Sequence, residues 1–347
     1  MRGLIVYMNL PNNYSLNYIL MFNPLNNKLF ITSYIKRMIL QKTYIKPFLI
    51  ILTFFVALNV QAQLTAANKK SLRSMEDTIQ VYAKQMVMSQ EPSARFYADS
   101  VFIKKFVQAL KIPGSFAYPF DSIQTVSKLY APDSTFRIYT WEIQKDESYF
   151  RQYGAIQMHT ADGSLKLIPL FDASDYASIP TDSVRNSRNW IGAIYYEMVM
   201  KEFNGQKYYT LIGLDDNDFT STRKWIEVMH FDTNGQPIFG GSFFVYKSEP
   251  IKPDPPVARF CLEFKKDGKA RLNYDKQLDL IIFDHLTTET PGDDSKYNLI
   301  PDGDYEGFRW SNGQWVHIPK VFAEQKLKDG QAPVPVPFLD DNGKPVN

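Results

Sequence analysis

Cysteine and histidine are scarce in this 347-residue sequence, which contains one cysteine, Cys261, and four histidines. A lone cysteine excludes an internal disulfide. No His-Glu-x-x-His or Cys-x-x-Cys motif is present, and neither is a Gly-x-Ser-x-Gly elbow, a P-loop or a Rossmann glycine fingerprint. The sequence therefore contains no recognisable catalytic set, and we predict no catalytic and no cofactor-binding residues.

Acidic residues are missing from the first 62 positions, which contain six basic residues. Lys42 and Lys46 precede an uncharged apolar run at 47–60, and small residues at Val60 and Ala62 suit a cleavage site. We therefore predict a signal peptide at 38–62, with the mature chain beginning at Gln63. The competing interpretation is a membrane anchor, but crossing about 30 Å of hydrocarbon takes roughly 20 apolar residues, more than this run has.

Residues 1–37 fit no targeting pattern and precede a better start at Met38, so we interpret them as a mis-assigned upstream extension. Without residues 1–62 the chain has 33 basic and 37 acidic residues, a net charge of −4. That balance leaves no basic patch of the kind that binds nucleic acid. We predict an exported protein of the periplasm or cell surface, with no nucleic-acid partner and no transmembrane segment in the mature chain.

Two amphipathic helices are predicted at the start of the mature chain. Apolar residues recur every three or four positions over 64–90, and again from Ser93 to a stop at Pro113. The segment 122–129 is predicted as a short third helix. The predicted organisation is a helical N-terminal segment at 63–112, an antiparallel β domain at 113–322 and an extended Pro-containing tail at 323–347.

From Thr135 onward the apolar pattern alternates at every second residue, which is typical of β-strands. Tight hairpin turns between them are predicted at the Asn-Gly or Asp-Gly pairs 162–163, 204–205, 234–235, 267–268 and 312–313, because both turn residues need φ > 0. The predicted strands include 190–203, 207–214, 224–231, 238–247, 306–311 and 314–318. Residues 190–203 are apolar on both alternating faces, which predicts a sheet covered on both sides.

These patterns together predict an α+β fold. The N-terminal helical pair is expected to pack on a large antiparallel β-meander, because short turns join sequential strands. The meander is expected to form a sandwich or an open barrel, with a β-propeller as the alternative.

Several runs of residues have a pattern that recurs in a known group of proteins. They are Ala131-Pro132-Asp133, Phe136-Arg137-Ile138-Tyr139-Thr140-Trp141, Tyr208-Tyr209-Thr210-Leu211-Ile212-Gly213, Phe231-Asp232, Asn234-Gly235, Pro237-Ile238-Phe239-Gly240, Ile282-Phe283-Asp284-His285-Leu286 and Pro301-Asp302-Gly303-Asp304-Tyr305-Glu306-Gly307-Phe308. Together they resemble a family of uncharacterised, exported, β-rich proteins from Bacteroidetes. The resemblance covers residues 75–320. It implies export and a β-rich architecture, and it carries over no activity and no site residue.

A calcium site is predicted in the acidic segment near the C-terminal strands. Asp302, Asp304 and Glu306 stand two residues apart, and Gly307 allows the chain to fold back. Carboxylate oxygens on a loop suit Ca²⁺, which would relieve their mutual repulsion. The competing interpretation is a solvated turn neutralised by Lys296 or Arg309.

A second carboxylate spacing, from Asp216 to Glu227, matches the length of an EF-hand loop. Ser221 occupies the position of the glycine that makes the sharp turn of such loops, which argues against calcium binding there.

The missing catalytic set favours a non-enzymatic exported binding or envelope-associated protein, whose ligand or envelope partner the sequence does not specify. The alternative is a hydrolase that uses Asp and Glu, with or without Ca²⁺. A pocket lined by two carboxylates together with a histidine or an arginine would favour the enzyme. A flat or filled sheet would favour binding.

Overall fold

The computed structural model describes residues 64–146, 148–246, 258–293 and 295–322, all of which fall within the unit Ala62–Asn347. The predicted upstream extension, the signal peptide and the C-terminal tail lie outside the described residues. None of the described helices is both long and apolar enough to cross a membrane.

Two α-helices begin the described chain, α1 (Ala66–Met88) and α2 (Pro92–Leu110), and they confirm the predicted helical pair. The Thr65 side chain caps α1 by accepting a hydrogen bond from the Asn68 backbone N–H at 3.1 Å. Pro92 lies in the first turn of α2, where a backbone N–H would have no helical partner.

Fifteen β-strands follow among the described residues. They are β1 (Ser127–Tyr130), β2 (Phe136–Asp146), β3 (Tyr149–Met158), β4 (Lys166–Phe171), β5 (Arg185–Asn186), β6 (Ile194–Phe203), β7 (Gln206–Asp215), β8 (Ser221–Phe231), β9 (Pro237–Phe239), β10 (Phe244–Val245), β11 (Phe260–Lys265), β12 (Leu272–Asp275), β13 (Leu280–Thr288), β14 (Leu299–Ser311) and β15 (Gln314–Ile318).

The strands form three sheets rather than one continuous meander. The first has the order β1-β2-β3-β4, and the second has the order β5-β9-β8-β7-β6, with β11 also paired to β8. The third has the order β10-β15-β14-β13-β12. Strand pairs are antiparallel except β10 with β15. The fold is therefore α+β, as predicted, and over the described residues its sheets do not close into a barrel.

Helices and sheets stack in layers with a separate apolar core between each pair of neighbours. The helices pack on one face of the first sheet, through residues such as Phe106 and Tyr139. The other face of that sheet meets the second sheet around Trp190. The far face of the second sheet packs on the third through Ile226 and Phe308. The central sheet is thus covered on both sides, as its apolar pattern predicts.

Two local predictions are wrong because tertiary pairing decides the conformation. Part of the predicted third helix is strand β1, in which Ser127 pairs with Thr140 of β2. The predicted strand 238–247 is divided into β9 and β10. Between them, Gly240 and Gly241 have φ of +82° and +153°, which breaks the extended backbone.

The turn between β6 and β7 is a testable element of this architecture. Asn204 and Gly205 have φ of +50° and +74°, the signs of a type I′ turn. We expect Gly205→Val to lower the free energy of unfolding by about 1–3 kcal/mol in urea denaturation. A side chain at this position meets nothing within 4 Å, so the cost is one of backbone conformation alone.

The matched control is Gly205→Asn, because asparagine tolerates a positive φ. We expect it to retain stability within about 1 kcal/mol of the wild type. Equal stability of the valine and glycine proteins would contradict the assigned turn.

Candidate functional site

Strands from the ends of all three sheets meet at one open groove. Strands β1, β6 and β12 are each the last strand of their own sheet. The groove between them has a volume of about 510 Å³ and is lined by Leu129, Tyr130, Pro132, Tyr196, Glu197, Met198, Val199, Met200, Tyr274 and Lys276. That volume lies within the usual range for ligand pockets.

Specific hydrogen bonds hold the walls of the groove together. The Ser127 hydroxyl of β1 donates to the Tyr195 carbonyl of β6. On the opposite side, the Tyr196 hydroxyl donates to the Leu272 carbonyl of β12 at 2.6 Å. The Tyr274 N–H donates to the Glu197 carboxylate at 2.8 Å. These bonds join three sheets, so the groove is built into the fold.

Strand β6 lies at the end of the second sheet and forms one wall of the groove. Among the described residues, β7 is the only strand that pairs with β6. An end strand directs alternate N–H and C=O groups away from its neighbour, where an added strand can bond to them. A register shift between Tyr195 and Glu197 marks a bulge in the pairing of β6 with β7.

The lining of the groove contains few charged groups. Among the residues that line the groove, Glu197 is the single acid, and there is no histidine or arginine. Tyrosine and methionine dominate the remainder. Methionine adapts to different ligand shapes, and tyrosine offers a rigid apolar face with a polar end.

The predicted calcium residues lie in strand β14 rather than in a loop before it. Leu286 pairs with Pro301 and Asp284 with Tyr305, so residues 302–304 bulge opposite the single residue His285. Gly303, with φ of +96°, supplies the backbone conformation that the bulge needs. The expected start of the strand at 306 was too late because pairing with β13 extends it to Leu299.

The two aspartates among the three predicted ligands have different partners. Asp302 contacts the His285 Nδ1 atom at 2.6 Å, and Asp304 contacts Lys320 at 3.2 Å. Burial alone would raise the pKa of Asp302, but hydrogen bonds from the Asp304 N–H and from His285 lower it overall. His285 and Lys320, neither of them anticipated from the sequence as a partner, lie against the acidic segment.

Glu306 differs from the two aspartates because it is buried, with 2% of its surface exposed. One of its carboxylate oxygens lies 2.5 Å from His317 Nε2, and the other lies 3.8 Å from His285 Nε2. Over the described ranges, no three His, Cys, Asp or Glu side chains form a group that could hold a metal ion. Calcium binding by Asp302, Asp304 and Glu306 stays a prediction.

Calcium binding is tested by thermal melts. If the acidic segment binds Ca²⁺ in the folded state alone, stability rises by roughly 2.7 kcal/mol at a hundredfold excess over the dissociation constant. We expect the melting temperature to rise in millimolar Ca²⁺ and Asp304→Asn to blunt the rise. The exposed control Asp267→Asn should keep the full response. Identical melts in Ca²⁺ and in EDTA would refute the site.

The EF-hand-like spacing has a structural explanation instead. Glu227, its twelfth residue, lies in β8 with 2% of its surface exposed. Its carboxylate accepts hydrogen bonds from Arg259 Nε and from the Tyr195 hydroxyl, both at 2.7 Å. Arg259 also donates to the carbonyls of Pro180 and Ser183. The group is a buried ion pair that anchors the loop before β5 to the central sheet.

Two further carboxylates approach each other between the first and second sheets. Gln152 Nε2 donates to Glu142 at 2.8 Å and to Asp215 at 3.3 Å. Burial raises the pKa of Glu142 to about 7 and the pKa of Asp215 to about 6. Raised carboxyl pKa values are typical of acid–base sites and of buried structural acids alike.

The remaining residues singled out in the sequence mostly have packing roles. Trp141, Trp190, Trp225 and Trp315 are buried in the cores, which agrees with the expectation of core packing. The groove could not be anticipated from the sequence, because its walls come from segments about 70 residues apart along the chain.

Comparison of this chain with protein-family models, with curated proteins and with solved structures finds no match.

Proposed function

We propose that this chain is a non-enzymatic exported binding protein of the periplasm or cell surface, and that it binds an extended polypeptide segment in the groove along β6. The observation that carries the proposal is the meeting of the end strands β1, β6 and β12 at one groove. The signal peptide predicted at 38–62 supports export.

An extended peptide fits this groove for two physical reasons. Main-chain groups of a peptide can pair with the outward N–H and C=O groups of β6, which supplies affinity without regard to sequence. Alternate side chains of an extended peptide point to one face, where Met198 and Met200 and the tyrosines would receive them. The ligand chemistry is thus an extended segment with apolar residues at alternate positions.

The alternative function, an Asp- and Glu-dependent hydrolase, has weaker support. A paired-acid site would consist of Glu142 and Asp215, but the Gln152 amide lies between them and donates a hydrogen bond to both. Asp215 is 7% exposed and is enclosed between two sheets. A substrate would need to displace the Gln152 side chain to reach both acids.

The test uses a phage-displayed library of random 12-residue peptides, panned on the immobilised full chain. We expect enriched peptides with apolar residues at alternate positions. Their affinity should fall at least tenfold for Met200→Glu, which places a charge in the groove. The matched control Val87→Glu changes a half-exposed residue of α1 far along the chain and should bind as the wild type does.

Because Met200 is partly buried and its replacement can affect folding, a second groove variant is included. Lys276 is exposed at the rim, so Lys276→Glu alters the charge of the groove without touching a core. Peptides that bind both groove variants as tightly as the wild type would contradict the proposal. Failure to enrich any peptide would contradict it as well.

A further inference from the structure

We infer that the groove is occupied by a segment of this chain, Pro-Val-Pro-Val-Pro-Phe at 333–338, which regulates access of other peptides. The inference rests on the proposed peptide-binding function and names one occupant of the same site. The segment lies in the C-terminal tail, beyond the described residues.

The composition of the segment matches the lining of the groove. A sequence with proline at every second position favours the extended polyproline conformation, which aromatic-lined grooves bind at low entropic cost. Tyr130, Tyr196 and Tyr274 line the groove from its three walls. Their ring faces suit proline rings, and Met198 and Met200 offer adaptable apolar contacts to the valines.

The charges beside the segment and at the rim of the groove are opposite in sign. Asp340 and Asp341 follow the apolar segment closely in the sequence. Lys276 lies at the β12 wall of the groove and is exposed. Opposite charges at the rim of a binding site favour one orientation of the bound segment.

The chain is long enough for the segment to reach the groove. The described part ends at Phe322, whose ring packs on Tyr305 of β14 at a centroid distance of 5.6 Å. Strands β14 and β12 flank β13, so they lie about 10 Å apart. Tyr305 pairs with Asp284 and Tyr274 pairs with Ile281, so the two tyrosines are displaced by a further ~10 Å along β13.

Ten residues separate Phe322 from Pro333. Fully extended, they span about 35 Å, well over the distance needed. A tethered segment has an effective concentration in the millimolar range, so even a weakly binding tail would compete with free peptides.

The test places a photo-crosslinker in the groove of the full chain. Lys276→p-benzoylphenylalanine puts the reactive group at the exposed rim, and mass spectrometry of the irradiated protein identifies the crosslinked peptide. We expect crosslinks to residues 329–347 in protein of monomer mass. The control Tyr97→p-benzoylphenylalanine, at a residue of α2 that is 68% exposed, should give none to that peptide.

A full-length Val334→Asp/Val336→Asp variant separates this inference from the function on which it rests. We expect it to lose at least nine-tenths of the crosslink and to bind the enriched library peptides at least tenfold more tightly than the wild type. Crosslinks only in dimers would overturn the inference in favour of a second copy, and crosslinks elsewhere or none would overturn it outright. In each of those cases, library peptides that still bind the groove would leave the proposed function standing.

Discussion

Replacing Arg259 by alanine is expected to lower the free energy of unfolding by about 3–5 kcal/mol, measured by urea denaturation. Arg259 and Glu227 form an ion pair with side-chain exposures of 1% and 2%. Removing the guanidinium leaves the Glu227 carboxylate buried without its cation. The carbonyls of Pro180 and Ser183 lose their donor at the same time. Uncompensated buried charges are among the most destabilising changes a core can undergo.

The loss of stability should result from the burial of this ion pair, and breaking an exposed ion pair should cost much less. Lys265 and Glu289 form a pair whose side chains are 36% and 48% exposed. Because solvent screens such pairs, we expect Lys265→Ala to cost at most about 1 kcal/mol. A cost below about 1 kcal/mol for Arg259→Ala would show that the pair is solvated and that the loop before β5 is not anchored by it.

Replacing both partners provides a further check on the origin of the loss. Exchanging a buried ion pair for apolar residues of similar volume is often neutral, because neither group is then left without a partner. We expect Arg259→Met combined with Glu227→Met to recover part of the stability that Arg259→Met alone loses. The recovery should be incomplete because the Tyr195 hydroxyl, which also accepts a hydrogen bond from Trp190, loses its acceptor when Glu227 is replaced.

The stability of the wild-type chain is expected to fall as the pH rises from about 4.5 to 7, and Glu142→Gln should remove most of that fall. Burial raises the pKa of Glu142 from its ordinary 4.5 to about 7. In this pH range the folded chain retains a proton that the unfolded chain has released. Stability therefore decreases with increasing pH. Because a tenfold difference in proton affinity between the two states corresponds to about 1.4 kcal/mol, the loss amounts to about 3 kcal/mol between pH 4.5 and 8.

Glutamine keeps the hydrogen-bond acceptor for Gln152 but cannot ionise. We expect Glu142→Gln to be more stable than the wild type by about 2–3 kcal/mol at pH 8 and nearly equal to it at pH 4.5, in urea denaturation at each pH. The exposed control Glu202→Gln should follow the wild-type profile. Parallel profiles for Glu142→Gln and the wild type would contradict the buried, neutral state of Glu142.

Asp215 contributes a smaller decrease at lower pH, because burial raises its pKa from 3.8 to about 6. The slope that remains in Glu142→Gln between pH 4 and 6 should therefore disappear when Asp215→Asn is added. Since Gln152 contacts both carboxylates, the two substitutions are not expected to be additive.

Local sequence determined the elements of this fold. Apolar spacing of three and four residues gave both helices to within about two residues of their ends. Alternation gave most of the long strands, and the bounds of β15, Gln314–Ile318, agree with the predicted ones. The Asn204-Gly205 turn followed from the conformational freedom of two residues alone. These features depend on near neighbours, and near neighbours are what a sequence displays.

Tertiary structure decided which strands pair and which side chains meet. Residues 127–130 became β1 because β2 offered a pairing partner. Glu227 and Arg259 are 32 residues apart, and Glu197 and Tyr274 are 77 apart. No periodicity relates such positions, because their contacts depend on how the three sheets stack. The groove along β6 exists only because three sheets end at the same place, so the tertiary structure, and not the sequence, identified this candidate site.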